Sequence, residues 1–444
     1  MSHLDDKGGG LIMFTTYEEA IDWIHSRLRL GVKPGLTRME WMMERLNHPE
    51  RKIKTIHIGG TNGKGSTLTY IRSILETEGI EVGTFTSPYI EQFNERISIN
   101  GVPIKDEEIV QLLNDIYPLA IELEGTEIGE PTEFEIITAM AFHYFAHIHP
   151  VDIALFEVGL GGRWDSTNVL HPLLSIITSI GLDHTKILGD TYADIAGEKA
   201  GIIKSGTPVI SGVKQPEALQ VINRTAKEKR STVYQLGKQF STFGHTSTGC
   251  GESFGLENIF HKREGLEISM AGTHQIENAS LAVMAAEFLN QYFSFDISEE
   301  SMKAGLKKAY WPGRFERVSN DPLIILDGAH NQEGIEALCH ELEKRYPEKK
   351  KQVVFAALAD KKLDQMIGML DQTANKMIFV DFDFPRAAAA KDLYSLSSST
   401  NKIADSDWKA VIQSERDSLS DEVMLVITGS LYFISEIKQW LKDN

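Results

Sequence analysis

Between residues 54 and 211, short apolar runs alternate with amphipathic ones. "KTIHIGG", "VGTFTS", "VDIALFEVG", "LLSIITSIG" and "TPVIS" read as strands, whereas "STLTYIRSILETEG", "EFEIITAMAFHYFAHIH" and "AGEKAGIIK" have helical spacing. That alternation predicts a mostly parallel sheet with covering helices. Upstream, "TTYEEAIDWIHSRL" reads as a helix start just after Met13. From 244 to 270 the composition turns to Gly, Ser, Thr and charged residues with weak alternation, which predicts a small β excursion; "THQIENASLAVMAAEFLNQY" then returns to helical spacing. After "AYWPGRFERV" a second series begins: "LIILDGAHN", helix, "QVVFAALAD", helix, "KMIFVDFDF", an irregular segment, "EVMLVITGS" and the helix "LYFISEIKQWLKD". The expected fold class is α/β. A P-loop, mostly parallel sheet domain with a small β excursion occupies 13–309, and a smaller C-terminal Rossmann-like α/β domain occupies 310–444. The second series carries no Gly-x-Gly-x-x-Gly after its first strand, which disfavours a dinucleotide site there.

Composition narrows the function classes. The 444 residues, 42% of them hydrophobic, are enough for two sizeable cores. Lys and Arg number 45 against 63 Asp and Glu, a formal charge of −18, so the footprint of a nucleic-acid or anionic-membrane binder is missing. Cys250 and Cys339 are the only cysteines, which fits a reducing compartment. "MSHLDDKGGG" lacks the basic start and apolar stretch of a signal peptide, and no apolar run approaches membrane-spanning length. A soluble cytoplasmic protein is expected, with residues 1–12 read as an extension ahead of Met13.

The candidate chemistry starts at "HIGGTNGKGSTLTY". Gly60, Gly63 and Gly65 surround Lys64 between a strand and a helix, which presents backbone N–H groups and a helix N-terminus to an anion. The residue after Lys64 is Gly65 rather than the hydroxyl of a standard P-loop, and the hydroxyls follow at Ser66 and Thr67. Glu157 ends one strand and His184 follows another, positions at which ligands gather in an open α/β sheet. Each reads equally as a metal or catalytic group and as an ordinary loop partner. Lys199, on an apolar helical stretch, is either paired with Glu198 or a neighbouring carboxylate, or deprotonated and able to add carbon dioxide. "TSPY" ends a strand with Thr86 and Ser87; Arg314, Asp327 and His330 stand where a second domain could close on a nucleotide.

In order, "GTNGKGS", "TSPY", "NERI", "FEVGLGGRWDSTN", "ITSIGLDHTKILGDT", "IAGEKAGIIK", "GTHQIENA", "WPGRFE", "LDGAHN" and "TGSLYF" span nearly the whole chain. This set resembles the folylpolyglutamate synthase family, shared with dihydrofolate synthase and more distantly with the Mur ligases. The resemblance implies that Gly60, Thr61, Asn62, Gly63, Lys64, Gly65 and Ser66 bind the ATP phosphates, with Asn278, Arg314, Asp327 and His330 as further nucleotide contacts. It implies magnesium, as one or two ions, on Ser87, Glu157 and His184. Lys199 would be a carbamate near a second metal, and Lys64, His184 and Lys199 would act in catalysis. Gly35, Leu36, Thr37 and Arg38, Glu133 and Phe134, and Trp164, Asp165 and Ser166 are the implied folate contacts. The family usually has His where Tyr89 stands and often Ala where Ser166 stands.

The implied reaction is ATP-dependent addition of L-glutamate to the γ-carboxylate of reduced folates through an acyl phosphate. Addition of glutamate to dihydropteroate is expected as well, by a monomer. Two other readings stay open: an ATP-hydrolysing nucleotide switch, and a Mur-type ligase acting on another carboxylate.

Overall fold

The computed structural model describes residues 13–249 and 251–443; residues 1–12 and Cys250, on which two expectations rest, lie outside them. The first series of apolar runs becomes β1 (Thr55–Gly59), β2 (Val82–Phe85), β3 (Ile97–Ile99), β4 (Val102–Pro103), β5 (Ile153–Glu157), β6 (Leu174–Ile177), β7 (Val209–Ser211) and β8 (Val233–Gln235). They form one sheet in the order β4-β3-β2-β5-β1-β6-β7-β8. Strands β2, β5, β1, β6, β7 and β8 pair parallel, and β3 and β4 add an antiparallel edge. That edge hairpin was not anticipated. Its signal is the Asn100-Gly101 dipeptide, both residues at positive φ, which suits the tight turn of a two-stranded hairpin.

Every residue of β1 and β5 is buried, because helices cover both faces of the sheet. Ile153 and Leu155 join a core with helices Lys64–Thr77 and Thr273–Phe293; Ala154 and Phe156 join another with helices Asp106–Glu124 and Glu133–His143. Helix starts follow the local chemistry. Thr16 and Thr132 each close a capping box with the glutamate three residues on, Glu19 and Glu135.

The β excursion is a three-stranded antiparallel sheet of β9 (Phe240–Ser247), β10 (Glu252–Asn258) and β11 (Lys262–Ile268). It begins at Phe240 rather than at 244, since β9 is mostly exposed and alternates weakly. The C-terminal α/β domain holds β12 (Glu316–Asn320), β13 (Leu323–Asp327), β14 (Lys350–Phe355), β15 (Lys376–Val380), β16 (Lys402–Asp405) and β17 (Val423–Thr428), in the order β12-β13-β17-β14-β15-β16. Only β12 runs antiparallel to its neighbour. The segment expected to be irregular contains helix Ala390–Leu396, β16 and helix Trp408–Ser418. As an edge strand with three of its four residues exposed, β16 has no apolar run to announce it. Among the described residues no helix is long and apolar enough to cross a membrane.

Candidate active site

The carboxyl ends of β1, β2, β5 and β6 meet the end of β13 across a cleft of ≈ 440 Å³. The turn after β1 forms its floor. Gly63 caps helix Lys64–Thr77 in the left-handed region at φ 85, and a Cβ there would lie 2.2 Å from Asn278 Oδ1, so the turn excludes a side chain at this position. Gly65 faces the Trp311 indole, where a Cβ would meet ring atoms at 3.0 Å. This contact gives a packing reason for glycine where a standard P-loop has a hydroxyl. Neighbouring side chains brace the loop: Asn62 N–H donates to Ser179 Oγ (2.9 Å), Thr178 Oγ1 donates to Asn62 O (2.6 Å), and Gln275 Nε2 donates to Ser66 Oγ (3.3 Å). Asn278 in turn donates to Gln275 Oε1 at 3.2 Å.

Two lysines converge on this loop. Lys64 Nζ donates to the carbonyls of Gly60 (3.2 Å) and Thr61 (3.3 Å) and lies 3.9 Å from Glu157 Oε1. Lys199 Nζ donates to the same Gly60 carbonyl at 2.9 Å. Lys199 does not pair with Glu198, whose carboxylate faces Arg163 at 3.8 Å. Burial, reinforced by the Lys64 ammonium, pushes the Lys199 amine down to about 7. A substantial neutral fraction near neutral pH follows.

Glu157 closes β5 beside them, accepting a hydrogen bond from Ser87 N–H at 3.3 Å. Burial raises its pKa, against the pull of Lys64, the Ser87 amide and Arg314. His184 takes a left-handed backbone at φ 51 and lines the same cleft. Burial lowers its pKa, and Lys361, Lys64 and Lys199 add to this while Asp183 opposes it, so the ring is a neutral donor atom at pH 7. Among the described residues no three His, Cys, Asp or Glu side chains converge as a ready metal cage. One buried carboxylate, a serine hydroxyl and a neutral imidazole fit a cation that keeps water and phosphate oxygens as its other ligands.

The C-terminal domain supplies the facing wall. Asp327 ends β13 and accepts the N–H groups of Phe315 (2.7 Å) and Ala329 (2.8 Å); its pKa is raised by burial and moderated by Arg314. His330 Nδ1–H donates to Gly328 O at 2.8 Å, and burial together with Lys361 brings the ring down to about 4. Lys361 Nζ meets Asp183 Oδ1 at 2.6 Å with both side chains nearly buried. Burial disfavours the Asp183 carboxylate, but Lys361, His184 and His330 outweigh it and hold the group well below the usual carboxylate range. Asn331 Nδ2 donates to Asn62 Oδ1 (2.9 Å), and Glu333 accepts Leu182 N–H (3.1 Å). Thr178, Ser179, Asp183, Gln275, Trp311, Asn331, Glu333 and Lys361 were not singled out from sequence. Their positions at strand ends were a usable signal for the residues after β6; nothing local marks Lys361.

Three segments meet beyond Glu157. Arg38 Nε holds both Glu135 oxygens (2.9 and 3.0 Å), and its Nη2 donates to Lys33 O (2.9 Å), which fixes the turn at Gly35, Leu36 and Thr37. Arg96 reaches Glu133 at 3.4 Å, and its guanidinium lies 5.2 Å from the Tyr89 ring. Phe134 packs over Gly159, where a Cβ would meet its ring at 2.5 Å. Gly159 also lines the cleft. Trp164 is half exposed, whereas Asp165 and Ser166 are buried. None of the implied folate contacts lines the cleft itself; they adjoin it through Gly159.

Two family models match the chain: the Mur ligase middle domain over residues 58–286 and the Mur ligase glutamate ligase domain over residues 313–431. The dihydrofolate synthase/folylpolyglutamate synthase of Bacillus subtilis is 51% identical over 430 residues, covering 97% of this chain and 100% of that protein. The chain belongs to the dihydrofolate synthase/folylpolyglutamate synthase family of Mur ligases. It is an ATP-dependent ligase by descent. Mycobacterium tuberculosis folylpolyglutamate synthase, solved with ADP and AMPPCP, superposes with a TM-score of 0.88 at 28% identity, covering 96% of this chain and 98% of that one. An Escherichia coli FolC structure in complex with DHPP and ADP gives 0.86 at 26% identity, with coverage of 96% and 98%. Mixed α/β architecture with a C-terminal α/β domain, expected from the sequence, is common to this family.

Proposed function

We propose that this chain adds L-glutamate to the γ-carboxylate of reduced folates and also joins glutamate to dihydropteroate, in both cases through an acyl phosphate. The observation that carries the reading is the cleft itself, with the glycine turn and Lys64 on one wall and Arg314, Asp327, His330 and Lys361 on the other. Residues 13–309 would hold nucleotide and folate, and 310–444 would close on them.

A carboxylate is a poor electrophile, so the substrate carboxylate attacks the γ-phosphorus of ATP, the bond to the β-phosphate oxygen breaks, and ADP leaves. Positioning and charge neutralisation are the main demands of that step. The amides of residues 60–66 and the Lys64 ammonium supply them, with Asn278, Arg314, Asp327 and His330 around the nucleotide. The glutamate amine then attacks the acyl carbon, loses a proton, and inorganic phosphate departs as the amide forms. Closure of the two walls excludes water that would otherwise hydrolyse the acyl phosphate.

Ser87, Glu157 and His184 would hold magnesium, which supplies charge neutralisation at the phosphates when bound. Lys199 is the candidate for carbamylation: its neutral amine adds to carbon dioxide, a C–N bond forms and a proton is lost. The resulting carboxylate would serve a second cation. Gly35, Leu36, Thr37, Arg38, Glu133, Phe134, Trp164, Asp165 and Ser166 would form the folate side.

The test is ATP-dependent incorporation of labelled glutamate, run with dihydropteroate and with a reduced monoglutamyl folate. Incorporation with both substrates is expected. Incorporation with neither, while ATP is still hydrolysed, would overturn the reading in favour of a nucleotide switch or a different carboxylate substrate.

A further inference from the structure

His57 is a fully buried histidine that the reaction above does not use. It lies in β1, three residues before the glycine turn, and its Nε2 is 2.8 Å from Thr167 Oγ1. Thr167 Oγ1 in turn lies 2.5 Å from Asp165 Oδ1. A threonine hydroxyl has one proton, and the carboxylate can only accept it. The imidazole therefore donates through Nε2–H, and Nδ1 is left as a bare acceptor that has no hydrogen-bond partner among the described residues. Burial, with the Lys204 ammonium nearby, pushes this ring down to about 3, which keeps it in the neutral form that the arrangement requires.

The other end of the chain of hydrogen bonds is a clamped loop. Asp165 also accepts Leu160 N–H (2.8 Å) and Thr167 N–H (3.0 Å), which closes residues 160–167 on themselves. Asn168 donates to the carbonyls of Arg163 (3.0 Å) and Gly201 (3.1 Å), and Lys204 donates to Asn168 O (2.6 Å). This loop carries Trp164, Asp165 and Ser166, and it leaves β5 immediately after Glu157.

We propose that His57 is a positioning residue for the folate substrate: by fixing the Thr167 hydroxyl toward Asp165 it holds the 160–167 loop in its binding shape from the nucleotide strand beneath. The proposal rests on the folate-side reading above. A donor in the strand that ends in the phosphate loop thus supports the pteridine side of the same site.

His57→Leu removes the donor, and His57→Gln restores an amide N–H near the Nε2 position. Steady-state kinetics are to be measured for dihydropteroate, reduced folate and ATP. For His57→Leu the KM of both pteridine substrates should rise about tenfold, a loss of about 1.4 kcal/mol, while the KM of ATP stays within about twofold. His57→Gln should recover most of the loss. Thr167→Val, nearly isosteric, should reproduce His57→Leu and serves as the readout if that variant does not fold. A folded His57→Leu or Thr167→Val enzyme with unchanged pteridine KM, or one whose ATP KM rises in parallel, would overturn the proposal, as would failure of His57→Gln to rescue. Ser166→Trp tests the underlying reading separately. If it leaves the pteridine KM untouched, the loop is not part of the folate side and the proposal falls with it; if it raises that KM while His57→Leu does not, only the positioning role is lost.

Discussion

The cleft and the side-chain cluster that adjoins it through Gly159 are built from different materials. At the glycine turn the surface is backbone: glycines at positions where a Cβ would collide with Asn278 or Trp311, and carbonyls that gather two lysines. In the adjoining cluster it is held by side chains that lock one another, Arg38 on Glu135, Arg96 on Glu133 and Asp165 under Thr167. A backbone cradle admits an anion of fixed shape and offers little to adjust. A side-chain clamp can be retuned by single substitutions.

The contrast predicts a graded set of effects. Lys64→Ala should lower ligation by at least about 10²-fold, the scale of losing one preorganised charge-stabilising group, with an unchanged circular dichroism spectrum; normal ligation would remove the phosphate assignment. Gly63→Ala forces a Cβ against Asn278 at φ 85, and should raise the KM of ATP about tenfold, given the roughly 1–3 kcal/mol cost of a strained residue. Arg38→Ala strips a buried carboxylate of its partner and should raise the KM of the pteridine substrate by a similar factor with little change for ATP. If Arg38→Ala instead moved the ATP constant, the two regions would be one unit and the contrast would fail.

A pH series probes both regions at once. His57 behind the 160–167 loop, held at about 3, and His274 and His330 lining the cleft, held at about 4, all titrate below their unfolded value near 6.5. The unfolded chain therefore binds more protons than the native one below pH 6.5, and stability falls as pH drops from there to about 4. Asp183, with its depressed pKa, adds a loss of the same sign below that range, as pH falls under the unfolded carboxylate value. The urea midpoint should fall steadily over this interval; a flat profile would mean that these rings are hydrated in solution. The smallest effect belongs to Ser166→Ala, which should change the pteridine KM by less than about threefold, the worth of one modest hydrogen bond.

Much of this was legible in the chain, and unevenly. The parallel strands announced themselves because both faces are covered, which makes them continuous apolar runs. The glycine turn was legible because backbone recognition demands glycine at fixed spacing. The β3–β4 hairpin and β16 were missed because edge strands carry polar, exposed residues. Lys361 gave no local sign: a lysine in a polar turn becomes a buried partner of Asp183 only when the second wall arrives, 178 residues further along the chain.

The sequence by itself determined the α/β class, the glycine turn between β1 and its helix, and the family, since each is written in short-range spacing that secondary structure imposes. Tertiary structure alone decided which charges are buried together, that Lys199 turns to the Gly60 carbonyl rather than to Glu198, and that His57 stands behind Thr167. Those outcomes depend on desolvation and on distances between residues far apart in the chain, and neither is encoded in local spacing.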